Sequence, residues 1–156
     1  PLLAIALMAA SGDNFALELL PDCRRLQQAV DLIGRRALTV QVGRGPALFR
    51  LERLGLDLAN ATSVAELADA ASVASGGLGY CSFMVPLMES FDRALLAIWS
   101  RRGLESRTEL IRRLTPAKVM QLPRPGAAAV IDDCPDQELE AAVGAFLDAC
   151  RVPAPV

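Results

Sequence analysis

GGLGYCSFMVPLMESFDRALLAIWSRRG, residues Gly76 to Gly103, is the stretch on which the reading of this chain turns. Gly76, Gly77 and Gly79 read as a flexible joint between two helices, since glycine lowers the propensity of any regular element it interrupts. Beyond them Met84, Leu87, Met88, Phe91, Leu95 and Ile98 recur at steps of three and four. That spacing predicts one long amphipathic helix, closed by the cationic pair Arg101-Arg102 and the stop residue Gly103. Pro86 is compatible with its first turn or marks a kink.

Working toward the N-terminus, Ser63-Val64-Ala65-Glu66 is a capping box that opens an Ala-rich helix running to about Ser75. Before it, the β-branched run Ala37–Val42, the Gly/Pro loop Gly43-Arg44-Gly45-Pro46 and the second run Ala47–Glu52 predict a β-hairpin near residues 37–52. Leu54, Leu56 and Leu58 extend a weak alternation into a third short strand. Pro21 starts a helix with Leu26, Ala29, Val30 and Ile33 on one face and Gly34 as its stop. Apolar runs at residues 2–8 and 127–131 supply further buried strands. Toward the C-terminus, Ser106-Arg107-Thr108-Glu109 is a second capping box, and Asp132-Asp133-Cys134-Pro135 leads into a last helix bearing Leu139, Ala142, Val143, Phe146 and Cys150. The fold class read from this pattern is α+β, predominantly α-helical, with helices packed on a small sheet that contains the hairpin. Residues 1–151 form a single domain, and residues 152–156 begin a linker or tail.

Composition narrows the chemistry. None of the 156 residues is histidine, so Ser-His-Asp or Cys-His catalysis and His-bearing metal sites are excluded within the chain. Sixteen basic residues face 18 acidic ones, and every basic residue except Lys118 is arginine. So even a balance gives no field that would draw nucleic acid or an anionic membrane, and neither is expected as a partner. Cys23, Cys81, Cys134 and Cys150 form no CxxC pair and are expected as free thiols of a cytoplasmic protein. The opening run lacks a basic leader and is expected as a buried element of a domain excised from a longer protein.

Glu109 to Gly126, ELIRRLTPAKVMQLPRPG, resembles a late segment of dihydroorotase-type amidohydrolases, with Thr115 in place of the family's asparagine. The stretch holds no catalytic position of that family, and the resemblance carries no activity to this chain.

Two classes of function follow. The first is a non-enzymatic interaction or regulatory module, partnered by another protein or by a second copy, with Met84, Met88, Phe91 and Trp99 on the contact face. A structural domain of a viral or secretion assembly shares that physics. The second is a small-ligand or phosphate-binding domain or enzyme, in which Gly76, Gly77 and Gly79 offer backbone N–H groups, Arg44 a cation, and Asp132 and Asp133 carboxylates. For Asp132 and Asp133 the preferred role is to cap the last helix. No cofactor and no resident metal are expected.

Overall fold

The computed structural model describes residues 3–7, 23–43, 51–58, 61–80, 84–101 and 126–151. It overturns the helical α+β expectation. Six strands, β1 (Leu3–Leu7), β2 (Leu38–Val42), β3 (Leu56–Asp57), β4 (Gly76–Tyr80), β5 (Ala94–Trp99) and β6 (Ala127–Ile131), form one sheet in the order β3-β2-β1-β4-β5-β6. Every pairing is parallel. The described helices are α1 (Cys23–Gly34), α2 (Val64–Val73), α3 (Met84–Ser90) and α4 (Asp136–Ala149). This is a mixed α/β fold with helices on both faces of the sheet.

The long helix expected from Met84 to Ile98 is two elements. Helix α3 stops at a Schellman turn, in which Arg93 N–H donates to Met88 O at 3.0 Å and Asp92 N–H to Glu89 O at 3.0 Å. Asp92 holds the left-handed position of that turn at φ 51°, a place glycine usually fills. Because aspartate tolerates this conformation, the stop carries no glycine to announce it. The chain then enters β5, where all six residues of Ala-Leu-Leu-Ala-Ile-Trp are buried. Helices cover both faces of a parallel sheet, so its central strands read as unbroken apolar runs instead of alternating ones.

Among the described residues the expected hairpin is not formed. Strand β2 is flanked by β1 on one side and, at Val40 and Gln41, by β3 on the other, both parallel to it, so its described partners are not those of a hairpin. Gln27 of α1 takes up the chain where the second hairpin arm was expected to end. Its side-chain amide accepts from Glu52 N–H at 2.7 Å and donates to Glu52 O at 2.9 Å. The remainder of that arm, with Arg44, lies outside the described residues. The strands expected from the runs at 2–8 and 127–131 are present as β1 and β6, α1 and α4 lie where their apolar spacing predicts, and α2 lies where its capping box predicts. Ser63 caps α2 with the full capping box.

Two apolar layers sandwich the sheet. On one face α1 and α4 bury Leu26, Ile33, Val143 and Phe146 against Leu78, Leu96, Ile98 and Val130. On the other, α2 and α3 bury Leu67, Ala71, Leu87 and Met88 against Val40, Val42 and Leu95. From β1 the chain steps outward through β2 and β3, then crosses back to β4 and steps the other way to β5. Crossovers keep one hand, so reversing direction moves the connecting helix to the opposite face. That is why α1 lies on one side and α2 and α3 on the other.

Candidate functional site

The reversal places a boundary between β1 and β4, whose connections leave in opposite directions. In open parallel sheets such a boundary leaves a crevice at the carboxyl ends of the strands, where ligands collect. The described residues at this edge are Leu7 of β1, Val42 and Gly43 at the end of β2, Gly79 and Tyr80 of β4, and Trp99, Ser100 and Arg101 at the end of β5. Gly79 pairs with Leu7 on one side and Ala97 on the other.

Gly76, Gly77 and Gly79 therefore do not form a loop; they lie within β4. At Gly76 and Gly77 the absent side chains serve close packing. A Cβ at Gly76 would sit 2.6 Å from Cys150 Sγ and 2.7 Å from the Phe146 ring, and one at Gly77 would sit 2.7 Å from Met88 Cγ. Glycine here lets α4 and α3 approach opposite faces of one central strand.

Asp132 and Asp133 follow β6 and clasp the end of β5. Asp132 N–H donates to Trp99 O at 2.8 Å, and its carboxylate accepts from Arg101 N–H at 3.1 Å. Asp133 forms an ion pair with Arg101, whose hydrogen bond holds the Asp133 carboxyl below the usual carboxylate range. Neither residue caps the last helix as expected, for α4 begins at Asp136 behind Pro135 with no side-chain cap. Among the described residues no group of three acidic or cysteine side chains is placed to hold a metal ion.

Arg25 of α1 binds this turn to the rest of the domain. Its guanidinium donates to Asp132 O at 2.9 Å, to Cys134 O, and to the Asp136 carboxylate. Five N–H donors fixed in one plane suit arginine to gathering several acceptors at once. Cys134 lies in the same turn as a buried free thiol. Burial raises its pKa, and burial pushes Cys150 up to about 12. Neither is an activated nucleophile.

Of the residues expected on a contact face, Met84, Met88 and Trp99 are buried and Phe91 is 36% exposed. Trp99 is 8% exposed, and among the described residues its indole N–H has no hydrogen-bond partner. Lys118 and the amidohydrolase-like segment are outside the described residues. Shallow grooves also run along α1. One of about 200 Å³ is lined by Gln28, Asp31, Arg35 and Glu140, among others. Another of about 390 Å³ is lined by Asp31, Gly34, Arg35 and Arg53. Arg53 is committed there to Asp31 through paired hydrogen bonds of 3.0 and 2.7 Å.

No described helix is long and apolar enough to cross a membrane. The chain matches no family model, no curated protein and no solved structure.

Sequence reasoning singled out Gly76, Gly77 and Gly79 but placed them in a joint, where they are part of a strand. It grouped Trp99 with a helix face and gave Ser100 and Gly43 no role. The strand ends that assemble the edge became recognisable only once β4 and β5 were known to be neighbours.

Proposed function

We propose that this chain is a small-ligand-binding α/β domain whose site lies at the carboxyl edge of β1 and β4, with phosphate-bearing small molecules as the class of ligand. The observation that supports this reading is the strand order β3-β2-β1-β4-β5-β6, which is the doubly wound order with its reversal between the first and fourth strands. The warrant is one of architecture, since a fold hosts many chemistries and the site must decide among them. The cytoplasm is its proposed location, supported by the free, buried state of Cys134 and Cys150.

Thermal-shift titration of the full chain with nucleoside diphosphates and dinucleotides, each with magnesium, tests the proposal. A ligand selective for the folded state raises Tm by several degrees once its concentration is far above Kd. An unchanged Tm across that panel overturns the reading.

A second reading, a self-associating interaction or regulatory module, draws on the apolar side chains that remain exposed. Leu38 is 48% and Leu56 49% exposed, both at the β3 side of the sheet. A two-residue edge strand beside such side chains leaves an edge that a second copy would cover. Sedimentation over a concentration series decides it: one monomeric species throughout removes this reading.

A further inference from the structure

We infer that the indole N–H of Trp99 is the hydrogen-bond donor that receives an acceptor oxygen of the ligand at the carboxyl edge, an inference that rests on the ligand-binding reading above. Trp99 is the only tryptophan in the chain and the last residue of β5. A buried N–H without a partner is rare in folded proteins and calls for an explanation, a functional role among them.

Three features give the ring a place in the site. Side chains alternate along a strand, so Trp99 and Ala97 share the face of Leu95, which packs in the layer with α2 and α3. On that face the preceding row in β4, β5 and β6 is Gly79-Ala97-Ala129, where no side chain extends beyond a Cβ; toward β1 and β2 the same row continues with Leu7 and Val42. The backbone of Trp99 is fixed by the hydrogen bond from Asp132 N–H to Trp99 O at 2.8 Å, within the turn that Arg25 and Arg101 hold. A donor on a rigid strand end is oriented before any ligand arrives, which lowers the ordering cost of binding. Indole donates and does not accept, so the matching ligand group is an oxygen acceptor such as a phosphoryl, carboxylate or carbonyl oxygen, and not an ammonium.

The test uses the probe from the nucleotide panel that raises Tm most. With a single tryptophan, the ¹⁵N-labelled full chain gives one indole cross-peak and one source of tryptophan emission. The expected result is that both move on titration, saturating with the Tm rise, and that Trp99→Phe weakens that probe about tenfold. A Tm rise that leaves the indole cross-peak in place overturns the role of Trp99 while the ligand-binding reading stands. If no probe raises Tm, that reading falls and the inference with it. The cross-peak is read on the unaltered protein, so a folding defect in Trp99→Phe does not obscure the outcome.

Discussion

Strands β4 and β5 lie side by side in the centre of the sheet, paired from Gly76–Ala94 to Tyr80–Ile98, and each conceals its conformation by opposite means. β4 is Gly-Gly-Leu-Gly-Tyr, so poor in side chains that it resembles a joint. β5 is Ala-Leu-Leu-Ala-Ile-Trp, so uniformly apolar that its leucines and isoleucine fall into step with the helix before it. Both compositions answer to the same burial. Where α3 and α4 press onto the sheet, β4 gives up side chains to admit Met88, Phe146 and Cys150; β5 fills the interior with its own. Strand propensity of this kind expresses fit to neighbours more than any backbone preference.

The largest test of that contrast is Leu96→Ala in β5. Leu96 is fully buried, so its loss should cost roughly 2–5 kcal/mol in denaturant unfolding. A cost below about 1 kcal/mol would show that β5 does not fill the core.

In β4 the logic inverts, and adding a methyl should destabilise. Gly76→Ala drives a Cβ into the Phe146 ring and Cys150 Sγ and should cost about 1–3 kcal/mol. Gly77→Ala meets the flexible Met88 chain, which can turn aside, and should cost less. Equal values for the two would break the account of β4 as a bed for two different helices.

The turn between α3 and β5 offers a test of sign. With Asp92 in the left-handed conformation, Asp92→Gly should stabilise by up to about 1 kcal/mol. Were these residues a continuous helix, the same change would destabilise by about as much. Chemical denaturation of the variant distinguishes the two.

The smallest effect lies outside both strands and serves as their control. Hydrogen bonding from Arg53 holds the Asp31 carboxyl below its usual range. A depressed folded-state pKa adds stability that is present above the unfolded value, about 3.9, and is lost as pH falls through the folded one. Asp31→Asn should therefore lower stability slightly at neutral pH and flatten its decline below about pH 4, without altering the cost of Leu96→Ala.

Elements with one exposed face were legible from residue types alone. α1, α2 and α4 show apolar stripes because their outer faces meet water, and Ser63 with Glu66 marks the start of α2 through chemistry local to four residues. Strands β1 and β6 announced themselves as short apolar runs. The candidate site was legible only in pieces. Gly76, Gly77 and Gly79 were singled out as a loop and lie in β4, where Gly76 and Gly77 admit α4 and α3, and Asp132 and Asp133 were read as a cap or a metal site where they bind Arg101. Trp99 drew notice as part of a contact surface that the fold buries.

Unaided, the sequence determined that imidazole chemistry is excluded from the chain, that the charges nearly balance, and where α1, α2 and α4 lie, because these depend on composition or on contacts within a few residues. Only tertiary structure decided that β4 and β5 are strands, that β2 has parallel neighbours on both sides, and that the winding reverses between β1 and β4. Those outcomes depend on which distant segments cover each face of the sheet. A segment buried on both sides has no solvent boundary to imprint a period on its residues.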